Sequence, residues 1–327
     1  MIKRIALLIL VTLTGAFVAN AEPTVTDVVA KQRYPWNGLV DITCKVSGID
    51  ETTADRQFVL SAVFPDSENA VKMSKAWVVR DGVKSGNLAA DANGNYRLLW
   101  DAKADLGEAR YTNMIVRVII KEHLMVQLWT DGPYWATTNI GAEKPEDYGY
   151  YFWWGDTVGY KRENDKWVAS DGSNPNFSFT ASNTPTYNKS VSTLQSEGWI
   201  TAEGVLAPEY DAAKKQWGGD WRMPTKQEFD DLNSKCDWVW TTLNGVNGYI
   251  VRGKGDYSSK SIFLPCAGYG FGASLLNAGS YGYCWSSVSN SDNDYAWYLR
   301  FSSSGNLTFY NDRFYGQSVR PLQGSTK

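Results

Sequence analysis

From Glu22 to about Lys121 apolar and polar residues alternate in short runs. In "LVDITCKVSG", "FVLSAVF", "YRLLWDA" and "NMIVRVIIK" every second residue falls on the same side, which is the period of a half-buried strand. Turn-forming clusters separate the runs: "SGID", "FPDSEN", "DANGN" and "KADLGE". No segment of this part keeps a helical period. About 100 residues of short strands at regular spacing predict an all-β, immunoglobulin-like sandwich over residues 22–122. Nothing in it reads as chemical, so it is expected to act as a spacer or platform.

The texture changes at His123. "HLMVQLWTDGPYWATTNIGAEKPEDYGYYFWWGDT" is dense in Trp, Tyr and Gly. The polar stretch from Lys161 to Ser196 reads as an irregular surface excursion. Two helices are expected next. "APEYDAAKKQW" has Pro208 near its start. "RMPTKQEFDDLNSKC" contains Thr225-x-x-Glu228, a capping box with Thr225 as N-cap, and turns Phe229 and Leu232 inward. After Cys236 the chain returns to strands, with turns signalled by Asn244-Gly245 and Asn247-Gly248. Helices before a run of short strands predict an α+β domain over 123–323, followed by a tail, 324–327.

The first residues bear on location. "MIKRIALLILVTLTGAFVANA" has a basic start, an apolar run and a small-x-small end at Ala19 and Ala21, the form of a cleaved signal peptide covering 1–21. The chain is therefore expected to be exported, to the periplasm, the cell surface or the medium. No second apolar run reaches spanning length, so no membrane insertion is expected after cleavage. A net charge of −3 makes the chain a poor candidate for binding nucleic acid, which requires clustered positive charge, and none is expected as a partner. The 15 Trp and 19 Tyr suit large cores and also flat contact surfaces. Of the cysteines, Cys266 and Cys284 occupy strand-like runs that permit a bridge if neighbours. The alternative is that they, with Cys44 and Cys236, are small buried hydrophobes.

Candidate chemistry is sparse. His123 is the one histidine, so no His-based general base or metal cluster is expected. No nucleophile elbow, His-Glu-x-x-His or Cys-x-x-Cys occurs. Carboxylate pairs for glycoside hydrolysis could come from Asp292 or Asp294 with Asp312, or from Glu146 with Asp147, all of which also read as solvated loop acids. Arg222 and Arg320, in "WRMP" and "SVRP", could meet an anion or cap backbone carbonyls. No catalytic residue, metal ligand or cofactor is expected.

Six blocks carry a resemblance: "WATTNIGAEKPEDYGYYFWWGDT" (Trp135–Thr157), "WGGDWRMPTKQEFDDL" (Trp217–Leu232), "WTTLNGVNGYIV" (Trp240–Val251), "SIFLPCAGY" (Ser261–Tyr269), "GSYGYCWSS" (Gly279–Ser287) and "SVRPL" (Ser318–Leu322). In this order they resemble the Fibrobacter succinogenes major paralogous domain. That family is similar to the C-type-lectin-like fold, in the branch shared with formylglycine-generating enzymes. It also resembles the variable proteins of diversity-generating retroelements, whose C-terminal segment displays changeable residues on a ligand-binding face. The resemblance implies a C-type-lectin-like fold for 123–323. The Glu-Pro-Asn, Gln-Pro-Asp and Trp-Asn-Asp motifs of calcium-dependent lectins are missing from the sequence, so calcium-dependent sugar binding of that kind is not implied. Nor is the oxidising activity, because Cys266 and Cys284 lie in ordinary strand-like blocks.

The implied ligand face is the tail, "WSSVSNSDNDYAWYLRFSSSGNLTFYNDRFYGQSVRP" (Trp285–Pro321). In "YAWYLRFS" a strand puts Trp297, Leu299 and Phe301 on an apolar face expected to be core. Tyr298, Arg300 and Ser302 then face solvent. With Asn290, Asp292 and Asp294 from one loop, and Tyr310, Asp312, Arg313 and Tyr315 from the other, these form the expected ligand-binding set. Tyr gives rigid contact area, while Ser and Asn give adaptable hydrogen bonds. The function expected is non-enzymatic binding of a protein or glycan outside the cytoplasm, as a diversified adhesin or receptor-like binder. The alternatives are a carbohydrate-binding module stacking sugars on exposed rings, and an enzyme of the formylglycine-generating or glycosidase type.

Overall fold

The computed structural model describes residues 24–33, 38–47, 54–63, 71–72, 76–80, 83–85, 95–103 and 115–324. The expected signal segment, 1–21, and residues 325–327 of the expected tail lie outside them. The fold is rich in strands, with three short α-helices among the described residues. The first strands are β1 (Thr24–Gln32), β2 (Leu39–Ser47), β3 (Ala54–Val63), β4 (Val71–Lys72), β5 (Ala76–Arg80), β6 (Val83–Ser85), β7 (Asn95–Asp101), β8 (Ile115–Gln127) and β9 (Tyr134–Ala136). Then come β10 (Tyr160–Glu163), β11 (Lys166–Ala169), α1 (Val191–Ser196), α2 (Ala212–Trp217) and α3 (Lys226–Lys235). The chain ends with β12 (Asp237–Leu243), β13 (Val246–Arg252), β14 (Ser261–Pro265), β15 (Tyr269–Phe271), β16 (Ser274–Leu276), β17 (Tyr281–Ser289), β18 (Tyr295–Ser302), β19 (Gly305–Asp312) and β20 (Leu322–Gln323).

One antiparallel sheet has the order β1-β2-β7-β5-β6, and a second has β20-β9-β8-β3-β4. Alternation shapes the first: Val40, Ile42 and Cys44 of β2 are buried, and Asp41 and Thr43 between them are half-buried. β8 spans both halves of the chain. Its residues 115–124 pair with β3, and Met125–Gln127 pair with β9. The boundary expected between 122 and 123 thus falls inside one unbroken strand. His123 lies there too, with its side chain outside the described residues.

The helices follow local chemistry where the caps are strong. Thr225 Oγ1 accepts from the Glu228 amide at 3.2 Å, and Glu228 Oε2 accepts from the Thr225 amide at 2.8 Å, completing the expected capping box of α3. Phe229 and Leu232 are buried as expected. α2 starts at Ala212 rather than near Pro208, because Asp211 is its cap and accepts from the Lys214 amide.

Residues 161–196 are not the irregular excursion expected. Asn164 and Asp165, with φ of 48° and 61°, turn the β10–β11 hairpin, and Ser190 caps α1. Trp167 and Phe179 there are fully buried beside Tyr151 and Tyr160. Asn244-Gly245 is the turn expected, but Asn247-Gly248 lies within β13. Gly248 is there for space: a Cβ would overlap the Leu264 carbonyl.

Three strands, β17-β18-β19, form the sheet that carries or flanks the expected ligand residues. α3 packs across it. Phe229 and Leu232 of α3 share one core with Cys284, Leu299 and Phe301. Tyr283, Trp285, Ala296 and Tyr298 belong to another core, with Phe152, Trp154 and Val319. Both faces are covered at Tyr298 and Leu299, the middle of β18, while Leu307 and Phe309 of β19 are exposed.

Asp156 gives the fold a pH dependence. It is buried, and its carboxylate accepts from the Val158 and Gly159 amides at 3.0 and 2.9 Å. Burial nevertheless pushes its pKa from 3.8 up to about 7. The folded state therefore holds this proton over a range where the unfolded chain has released it. The resulting stabilisation is full below pH 3.8 and is lost as pH rises through about 7. Asp156→Asn, which cannot ionise, is expected to gain about 2–3 kcal/mol relative to the wild type between about pH 5 and pH 8. Urea unfolding of both proteins across that range checks this; a constant difference would exclude the effect.

Candidate ligand-binding face

On β18 the register places Tyr298, Arg300 and Ser302 beside Trp285, Tyr283 and Tyr281 of β17, and beside Phe309, Leu307 and Gly305 of β19. Loops complete this side. Tyr283 stacks with Tyr298 at 5.8 Å and meets Tyr269 edge-on at 5.0 Å. Tyr269 meets Tyr315 at 5.1 Å, Tyr315 meets Phe314 at 4.6 Å, and Phe314 meets Tyr187 at 5.1 Å. Phe271 joins through Tyr315 at 5.5 Å. The Arg300 guanidinium lies 4.9 Å from the centre of the Tyr281 ring. The rings form a connected layer. Phe271 (46% exposed) carries it out to solvent, and Leu307 (45%) and Phe309 (43%) are exposed at the positions of β19 opposite Arg300 and Tyr298.

The ten expected ligand residues fall into four groups. Arg300, Ser302 and Tyr315 are half-buried members of this side. Asp292, Asp294 and Asp312 gather at the end of the sheet near Tyr187 and Tyr295. Burial and the nearby Asp294 push the Asp312 carboxyl up, and Asp312 in turn pushes up the Tyr295 phenol. Asp292 is exposed, whereas one oxygen of Asp294 is buried without a partner. Tyr310 is exposed but belongs to the opposite side of β19, against Trp297 at 5.7 Å and Tyr295 at 5.3 Å.

The remaining three, Tyr298, Asn290 and Arg313, are corrected, as is the core placement of Trp297. Tyr298 is only 4% exposed, because a second core covers the side expected to be open. Trp297, expected in the core, is half-buried, with the Lys226 ammonium 4.8 Å from its ring centre. Asn290 is buried as a turn former, its Oδ1 accepting from the Asp292 amide at 2.9 Å. Arg313 is fully buried. It donates to the carbonyls of Tyr295 (3.0 Å), Thr186 (2.9 Å), Lys189 (2.8 Å), Asn293 (2.7 Å) and Asp292 (3.3 Å). Burial lowers its pKa to about 10.

Arg320 is likewise buried, donating to Asn139 Oδ1 and to the carbonyls of Ala136 and Phe263. Arg222 makes a bidentate pair with Glu228 at 2.8 and 2.6 Å. The Glu146/Asp147 pair is structural: Asp147 caps a turn through the Glu143 and Lys144 amides, and Glu146 accepts from Asn244. The four cysteines are buried free thiols, and burial pushes Cys266 and Cys284 up to about 12. A reactive thiol role has no support in such surroundings.

A family model described as a domain of unknown function (DUF8237) matches residues 247–322, which run from β13 to β20 and contain the whole β17-β18-β19 sheet. No curated protein and no solved structure matches the chain. Sequence reasoning missed Tyr187, Tyr269, Phe271, Tyr281, Leu307, Phe309 and Phe314. "GYGFGAS" and "LTFY" held a weak signal, aromatics interleaved with Gly or polar residues. For Tyr187, distant in sequence from the tail, there was none.

Proposed function

We propose that the protein is an exported, non-enzymatic ligand-binding protein. In this reading an immunoglobulin-like sandwich over 22–122 carries a C-type-lectin-like domain over 123–323. That domain resembles the Fibrobacter succinogenes major paralogous domain. The aromatic side of β17-β18-β19 is its ligand face. One observation carries the reading: a connected layer of rings is anchored in a core beneath and reaches solvent at Phe271, with Leu307 and Phe309 exposed on the neighbouring strand β19. Rings held by neighbours lose little entropy on binding, and a patch of this kind marks a contact surface. Arg300 and the Asp292–Asp294–Asp312 group supply charge at the margins.

Phe309→Ala and Arg300→Ala test it. Both side chains are partly open, so each substitution is expected to cost no more than about 1 kcal/mol of stability. Each is also expected to weaken binding about tenfold or more, since aromatic and Arg anchors dominate such surfaces. Screening the wild type against a glycan array and a displayed peptide library supplies the ligand. Glycan hits lost on Phe309→Ala favour sugar stacking, and peptide hits favour a protein ligand. Hits retained by both variants would remove the face from the function.

A further inference from the structure

A second site shares no lining residue with the aromatic face. A cleft of about 550 Å³ opens between the turn 201–206 and the segment 211–225. Both walls are held. The Thr201 amide donates to Val205 O at 2.8 Å, and the Leu206 amide to Ser287 O at 2.8 Å. Opposite, the Met223 amide donates to Asp211 Oδ2 at 2.8 Å, and the Arg222 amide to Leu322 O at 3.0 Å. The cleft is therefore present before any ligand arrives, which spares a ligand the cost of ordering it. Leu206, Trp221 and Met223, all buried, give it an apolar floor.

The charges around the rim are unequal. Arg222 is neutralised by its bidentate pair with Glu228, which lies outside the lining. The Lys214 ammonium donates to the Gly219 carbonyl and keeps its charge, which stands against the Asp211 carboxylate of the same lining. Asp211 has both oxygens occupied, by the Lys214 and Met223 amides. Glu203 and Asp220 remain, both exposed carboxylates at the rim and neither in an ion pair among the described residues. With Arg222 paired to Glu228, the lining holds Glu203, Asp211 and Asp220 against Lys214, and an apolar floor beneath this excess of carboxylates fits an amphipathic cation.

We propose that this cleft binds a small organic cation, with an ammonium or guanidinium group at Glu203 and Asp220 and an apolar body over Leu206, Trp221 and Met223. The Coulomb attraction is screened at the rim, so binding weakens with salt. The flat body supplies the salt-independent part.

Calorimetry on the full chain decides it, with 2-phenylethylammonium as probe beside 2-phenylethanol and 3-phenylpropanoate. The expected result is roughly sub-millimolar binding of the ammonium and at least tenfold weaker binding of the alcohol and the acid. The double variant Glu203→Gln/Asp220→Asn is expected to lose at least tenfold for the ammonium, with an unchanged melting temperature because both residues are exposed. Val205→Trp, which fills the cleft from one wall, abolishes binding, and Phe309→Ala leaves it unaltered. Four results overturn the proposal: no ammonium binding up to about 10 mM, equal binding of the alcohol or the acid, full affinity in the double variant, or loss of affinity in Phe309→Ala.

Discussion

Replacing Arg313 by Met is expected to destabilise the protein by about 3–5 kcal/mol, or to prevent folding of the region around β18 and β19. Its guanidinium donates to five backbone carbonyls, from Thr186, Lys189, Asp292, Asn293 and Tyr295, and pins two separate loops to the end of the sheet. A buried acceptor left without its donor costs about 1–3 kcal/mol. Relief from burying the cation offsets part of that sum, which keeps the net loss in the range given. Lys cannot substitute, because a single ammonium does not reproduce the planar fork of donors. Urea unfolding measures the loss, and hydrogen exchange locates it at 186–189 and 292–295. A stable Arg313→Met protein that has lost only ligand binding would return Arg313 to the ligand face.

Tyr298→Ala and Leu299→Ala are both expected to be severe, at about 3–5 and 2–5 kcal/mol. Consecutive residues on a strand point to opposite sides, so a one-sided sheet would let only one of them matter. Here Tyr298 is 4% exposed in one core and Leu299 is fully buried in the other. Tyr298 also stacks on Tyr283 and meets Trp285 edge-on at 6.0 Å, contacts that add to its burial. Trp297→Ala should cost less than either, because its ring is half-exposed beneath Lys226. Denaturant midpoints of the three variants test the order. A neutral Tyr298→Ala would restore the solvent-facing assignment and remove the second core from that side.

The two sets of results separate what each level of information decides. Sequence by itself determined features set within a few residues. Thr225 and Glu228 are close enough to cap each other whatever the rest of the chain does, so α3 was legible to its first residue. Alternation marked β2, β3, β7, β8 and β18, and Asn244-Gly245 set its turn because both residues tolerate positive φ. Where local signals misled, a distant contact had overruled them. Asn247-Gly248 looks like a turn, but its glycine answers to Leu264 across the sheet.

Only the tertiary structure decided that β18 is covered on both sides. Alternation reports that two faces differ; it does not report what lies over each. α3 covers one side through Phe229 and Leu232, while segments around Phe152, Trp154 and Val319 cover the other. Burial depends on packing between segments far apart in sequence, and no local period encodes it. The same holds for Arg313, whose loop setting reads as a paratope, and for Tyr187, which enters the aromatic layer only because the fold brings it to Phe314. The cleft is the extreme case: Glu203 and Asp220 are unremarkable loop acids until the fold places an apolar floor between them.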